Sequence, residues 1–206
     1  MERNEYIFTS DWFSDKINNF TFLINHINFM EENFKILEIG SYEGRSTIWM
    51  IENIINKTKN GKIYCIDTWK STINEKEHEY IREQIKEKDI LYHIFLYNTK
   101  NFANKIHIIR EDSRKALKNI NEKFDFIYLD CDHRRHRCLE DLILSIVLLK
   151  VDGIILIDDY LYKSGNEEDE NTPRGAINIF ERIYKNYIKL IFLNYQACYK
   201  KIKEID

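Results

Sequence analysis

The chain has a single proline, Pro173, and only six glycines in 206 residues. No stretch rich in Pro, Gly or Ser reads as a linker, so one domain (residues 35–206) preceded by an N-terminal extension (residues 1–34) accounts for the length. The scarcity of proline accompanies an abundance of Ile, Lys and Asn spread over the whole chain, so single lysines and asparagines carry little weight. The four cysteines, Cys65, Cys131, Cys138 and Cys198, form no CxxC pair. That spacing argues against a zinc or thioredoxin-type site and against a disulfide framework. Cys65, inside an apolar run, is expected to pack as a small hydrophobe. An excess of positive charge is also missing. A formal net charge of −3 does not suit a surface built to hold phosphates, and no nucleic-acid partner is expected. No apolar run approaches the roughly 18 residues of a membrane span. The opening MERNEYIFTSDW lacks the basic-then-apolar layout of a secretion signal, so no membrane partner and a cytoplasmic location are expected.

What is present can build a core: 44% of residues are hydrophobic, 14% aromatic and 32% charged, unlike a disordered tail. In the extension, Phe13, Ile17, Phe20, Ile24 and Ile27 fall on one helical stripe, expected to pack on the main core or to serve as a lid or homodimer contact. Strand-like and helix-like segments then alternate. KILEIG (35–40), KIYCID (62–67), KIHIIRED (105–112), FDFIYLDCD (124–132) and GIILIDDY (153–160) read as strands. Helices are expected at 45–57, once or twice in 70–105, at 137–150 and around Ile177, Phe180 and Tyr184, with strand-like KLIFLN and ACYKKI closing the chain. Strands that are apolar throughout, with helices between them, indicate a doubly wound α/β domain whose parallel sheet is covered on both faces.

Ligands in such sheets bind beyond the carboxyl ends of the strands. Those ends carry Glu38, Asp67, Asp112, Asp130, Asp132, Asp158 and Asp159, more acids than helix capping alone explains. The first turn, E-I-G-S-Y-E-G-R-S-T from Glu38 to Thr47, pairs a sharp glycine turn with a helix start, but lacks the three glycines of the dinucleotide fingerprint. Asp67 stands where a carboxylate accepts ribose hydroxyls. Asp112 and Ser113 end the third strand near the place of an adenine.

The ordered series LEIGSYEGRST, YCIDTW, IIREDSRKAL, FDFIYLDCDH and GIILIDDY resembles the class I S-adenosylmethionine-dependent methyltransferases, more closely the branch of small-molecule, sugar and catechol-type O-methyltransferases. The resemblance runs from about Lys35 to the C-terminus. It implies a Rossmann-like, mostly parallel seven-stranded sheet with the last strand antiparallel, and S-adenosylmethionine as cofactor. Carried over residue by residue, it implies that Glu38, Gly40, Ser41, Tyr42 and Ser46 surround the methionine part. Asp67 then holds the ribose, Thr68 and Trp69 lie beside the adenosine, and Asp112 and Ser113 contact the adenine.

Methyl transfer to a hydroxyl needs alignment, exclusion of water, and a way to remove the hydroxyl proton. A cation and a general base are the two devices available. Asp130, Asp158 and Asp159 are expected to converge at one edge of the cofactor pocket as oxygen ligands suited to Mg²⁺, Asp130 also bordering the cofactor and the reaction. In the related enzymes the matching positions carry metal. His133 lies where the catechol-type enzymes commonly have a lysine base, and an imidazole there suits proton removal near neutral pH. Asp132 is a candidate to orient it, and His136 is the lesser candidate base. The acidic run Glu167 to Glu170, if it closes over the site, disfavours acidic acceptors. Three other readings are weaker: a nucleotide-sugar glycosyltransferase using Asp130-Cys131-Asp132 as a DxD motif, an NAD-dependent oxidoreductase, and a non-catalytic cofactor-binding module. The acceptor, a small molecule or sugar, is not legible.

Overall fold

The computed structural model describes residues 6–27, 31–70, 89–130 and 132–205. Seven strands, β1 (Lys35–Ile39), β2 (Lys62–Asp67), β3 (Ile106–Arg110), β4 (Phe124–Leu129), β5 (Leu149–Ile157), β6 (Ile188–Leu193) and β7 (Ala197–Lys201), form one sheet in the order β3-β2-β1-β4-β5-β7-β6. β1 to β5 pair in parallel, and β7 runs antiparallel to both β5 and β6. The doubly wound α/β class and the antiparallel last strand are as expected from the sequence.

Consecutive residues of the central strands feed two different cores, which is why those strands read as unbroken apolar runs. Leu37, Ile127 and Ile155 point into one core, with Leu142 and Ile146 of α5 (Arg135–Leu148) and Ile177 and Phe180 of α6 (Arg174–Tyr184). Ile36, Phe126 and Leu156 point into the other, with Phe20 and Leu23 of α1 (Ile17–Ile24), Ile51 of α2 (Arg45–Asn53) and Phe95 of α3 (Ile90–Thr99). Each such side chain is essentially sealed from solvent and contributes about 1.5–3 kcal/mol by burial. Cys65 lies in this second core as expected, and among the described residues Cys65, Cys138 and Cys198 are buried free thiols.

Some boundaries differ from the sequence expectation. The helix after β1 stops at Asn53 and continues as a tight turn, Ile55–Lys57. Within 70–105 the described part is α3, followed by the 3₁₀ segment Lys100–Lys105, and the polar run at 71–88 lies outside the described residues. A helix of seven residues, α4 (Ser113–Asn119), has too few turns for its periodicity to be read. β5 starts earlier than expected, at Leu149. No helix among the described residues is long and apolar enough to cross a membrane.

The extension divides its work. α1 buries Phe20 and Leu23 against the sheet, Phe20 meeting Tyr128 and Trp49 edge-on. Residues 6–16 run over the carboxyl end of β1 as a strap. Asn98 of α3 fixes one end, donating to Ile7 O and accepting from Ile7 N. Buried Glu43 fixes the next turn through Thr9 N (2.8 Å) and Thr9 Oγ1 (2.5 Å).

Candidate active site

A cleft of about 700 Å³ opens over the carboxyl ends of β1 to β5, where the sheet order reverses between β1 and β4. Its walls include Gly40, Tyr42, Asp67, Thr68, Trp69, Asp112, Ser113, Asp130, His133 and Asp159, and the strap adds Asp11, Trp12, Asp15 and Lys16.

One half of the cleft is shaped by backbone. β1 ends in Gly40, whose φ of 90° suits glycine and whose N–H donates to Ile66 O (2.9 Å). The turn then passes Tyr42 (φ 46°) and Gly44 (φ 85°) into α2. Asp67, at the end of β2, holds this turn: Oδ2 accepts from Ser41 N (3.0 Å) and Tyr42 N (2.9 Å), and Oδ1 from Trp69 N (2.7 Å). Burial raises the Asp67 pKa, and these backbone donors oppose it only in part. Trp69 closes the arrangement with Nε1 donating to Tyr42 O (2.7 Å). At the end of β3, Asp112 caps α4 through Arg114 N and is gripped by the Arg114 guanidinium, which lowers its pKa.

Three residues expected around the ligand stand behind this wall. Glu38 is fully buried and accepts from Ser41 Oγ (2.8 Å), Ser46 Oγ (2.5 Å) and Thr47 Oγ1. Glu38, Ser41 and Ser46 therefore form a hydroxyl–carboxylate knot beneath the turn and do not line the cleft. Burial raises the Glu38 pKa despite those donors.

The other half is made of charged side chains. Asp130 follows β4, and Asp158 and Asp159 follow β5, each strand extended by a further ladder bond: Asp130 N to Ile39 O and Asp158 N to Leu129 O, both 2.9 Å. Tyr128 donates to Asp158 Oδ2 (2.5 Å) and reaches Asp130 Oδ2 (3.1 Å). Lys16, buried in the wall, places Nζ 2.8 Å from Asp158 Oδ2. Asp158 Oδ1 accepts from Asp159 N (2.8 Å), so both Asp158 oxygens are engaged and its side chain is sealed from solvent. Asp159 (φ 60°) turns the other way, into the cleft, with Oδ2 2.8 Å from His133 Nε2.

These neighbours set the protonation equilibria. Burial and the adjacent carboxylates raise the pKa of Asp130 and Asp158, with Lys16 opposing. Burial also acts to raise Asp159, but the His133 hydrogen bond and charge, with Lys16 and Tyr195, outweigh it, and its pKa is lowered. For Lys16, burial is outweighed by Asp130, Asp158 and Asp159, which hold the ammonium protonated.

Of the three carboxylates expected to converge on a cation, Asp130 and Asp159 do and Asp158 is tied beneath them. Among the described residues a different trio, Asp130, His133 and Asp159, brings one potential ligand atom each within 4.8 Å of one another. Asp132 does not join this group: Arg134 grips its carboxylate from backbone and side chain, so it is Asp159 that stands beside His133. Cys131, between the two acids of the DxD reading, lies outside the described residues. His136 and the run Glu167 to Glu170 do not line the cleft. The loop is drawn to α5 by Arg135 N on Glu170 O and Arg135 on Glu167 O. Sequence reasoning missed Lys16, Tyr128, Trp12 and Tyr195. Only Lys16 had a signal, its place on a stripe-bearing extension, and that does not distinguish it from any surface lysine.

Solved structures share this fold at low sequence identity. NovP, an O-methyltransferase, superposes with a TM-score of 0.68 at 11% identity, over 91% of this chain and 80% of its own. An O-methyltransferase from Bacillus cereus, in complex with SAH, gives 0.63 at 18%, over 95% and 84%. The N-methyltransferase NodS from Bradyrhizobium japonicum gives 0.57 at 13%, over 94% and 100%. No curated protein sequence matches the chain. A family model described as a methyltransferase domain matches residues 37–160, from β1 through the acids after β5, and the chain belongs to that family.

Proposed function

We propose that the chain is an S-adenosylmethionine-dependent methyltransferase that methylates a hydroxyl of a small molecule or sugar, with His133 as the base. The observation that carries this reading is one cleft with two unlike halves: a half lined by Gly40, Asp67 and Asp112, and a half where His133 meets Asp159 at 2.8 Å. The SAH-bound neighbour of the same fold supports the cofactor, and the O-methyltransferase neighbours support the acceptor atom.

When bound, S-adenosylmethionine supplies a methyl on a sulfonium, and its transfer leaves S-adenosylhomocysteine (SAH). In this reading Gly40 and Tyr42 receive the methionine part, and Glu38, Ser41 and Ser46 hold that turn from behind. Asp67 faces the ribose, Thr68 and Trp69 flank the adenosine, and Asp112 and Ser113 lie at the adenine. Asp130 stands between the cofactor and the acceptor. His133, held by Asp159, takes the hydroxyl proton on its imidazole as the new C–O bond forms and the C–S bond breaks. Asp159 then faces the imidazolium and stabilises it. Trp12, Tyr162 and Tyr195 line the same cleft and exclude water from it.

A magnesium ion held by Asp130, Asp158 and Asp159 does not fit these side chains, because Lys16, Tyr128 and Asp159 N already occupy Asp158. The trio of Asp130, His133 and Asp159 has the reach, but it mixes an imidazole into an oxygen set and lies beside an ammonium.

Calorimetric titration with SAH tests the reading. One-to-one binding that is weakened about 100-fold in Asp67→Ala is expected. An absence of binding by the folded wild-type protein would overturn it.

A further inference from the structure

Lys16 belongs to neither the family match at residues 37–160 nor any motif of the sequence, yet its ammonium lies 2.8 Å from Asp158 Oδ2, within the cluster of carboxylates after β4 and β5. It arrives from the strap: Asp11 accepts from Ser14 N (2.9 Å) and Ser14 Oγ (2.7 Å), and the resulting turn Ser14–Lys16 leads into α1. Phe13 and Phe20, both buried and 4.9 Å apart edge-on, pin this turn to the sheet on either side of the lysine. The side chain then lies against Tyr195, with Nζ 5.6 Å from the ring centroid, and ends on Asp158. A lysine so buried, with its aliphatic stem packed and its charge directed into three carboxylates, is built into the site.

We propose that Lys16 is a positioning residue that serves as the site's own cation, taking over the electrostatic role of a divalent metal at the Asp130–Asp158–Asp159 cluster. The inference rests on the methyltransferase reading for what the cluster does, but not for what binds it. Three acids within one pocket repel one another and would draw a cation from solution. A fixed ammonium satisfies them from inside the chain. It holds Asp158 beneath the cleft floor and leaves Asp159 to align His133, so the acceptor half is assembled without an exchangeable ion. Because the lysine sits on the strap that also carries Asp11, Trp12 and Asp15 into the cleft, the same contact fastens that wall of the site.

The test uses Mn²⁺ as the probe, followed by its paramagnetic signal, and SAH by calorimetry, on the full chain. Wild-type protein is expected to bind SAH and to bind Mn²⁺ no more tightly than about 1 mM, the weak end for oxygen sites. Lys16→Met is expected to bind Mn²⁺ at least about tenfold more tightly than wild type, because the carboxylates have lost their internal partner. Lys16→Arg, which keeps the charge, is expected to stay with wild type. Tight stoichiometric Mn²⁺ binding by the wild-type protein, or unchanged weak binding by folded Lys16→Met, would overturn the inference. Should Lys16→Met not fold, the wild-type and Lys16→Arg titrations decide it: tight Mn²⁺ binding by either overturns it, and weak binding by both upholds it. Loss of SAH binding in wild type removes the methyltransferase reading and leaves the Mn²⁺ result to stand on its own.

Discussion

The two halves of the cleft are built by different means. Over β1 to β3 the groups are placed by backbone: a glycine turn, three N–H groups converging on Asp67, and a capped helix at Asp112. Over β4 and β5 they are placed by side chains from distant parts of the chain, with Tyr128 and Lys16 meeting on Asp158 Oδ2 and His133 on Asp159. A backbone cradle is fixed by local sequence. A network of charges is assembled by tertiary packing.

Substitutions that separate the halves sharpen this contrast. His133→Ala should lower methyl transfer by about 10²–10⁴-fold and leave SAH affinity unchanged, read as SAH release over a panel of small hydroxyl acceptors. A parallel loss of SAH affinity would break the division. Asp67→Ala should weaken SAH by about 100-fold in calorimetry, since it removes the anchor of the Ser41–Tyr42 turn and, in the proposed function, a contact to the ribose. A change under about threefold would remove Asp67 from the cofactor half. Tyr128→Phe should cost about 2 kcal/mol in denaturant unfolding, because Asp158 loses its 2.5 Å donor in a buried setting. Gly44→Ala should cost about 1–2 kcal/mol by the same measurement. The new Cβ would sit 3.1 Å from Phe95 Cδ2 at a backbone φ of 85°.

The smallest effect concerns pH. Arg114 lowers the folded-state pKa of Asp112 below the ordinary 3.8, so the pair stabilises the fold above that value and the benefit is lost as pH falls through the lowered one. Asp112→Asn keeps a helix cap and removes the charge, so it should cost under about 1 kcal/mol at neutral pH. The gap between variant and wild type should close below pH 3.8. A gap that widens in acid would contradict this.

Legibility in the sequence follows the same division. The alternation of apolar strands and helices carried the sheet, and the acid at each strand end marked the cleft, because those signals are local. Glu38 shows the limit within the cradle. Its position after an apolar run was plain, but three hydroxyls from Ser41, Ser46 and Thr47 turn it inward, and only their joint geometry reveals that. Asp132 and Asp159 show it across the network. Adjacency favoured Asp132 as the partner of His133, yet Arg134 captures that carboxylate locally, and the positive φ of Asp159 brings the other acid round. Lys16 lies far from β5 in sequence and sits among many lysines, so nothing but packing singles it out.

Titration of the wild-type chain with S-adenosylmethionine and SAH, with NAD and UDP-glucose as controls, bears most directly on the function. Binding of the first two at one site per chain, with neither control bound, is the expected result. Binding of NAD or UDP-glucose with no response to the sulfonium pair would contradict the methyltransferase reading and return hydride transfer or sugar transfer to the cleft.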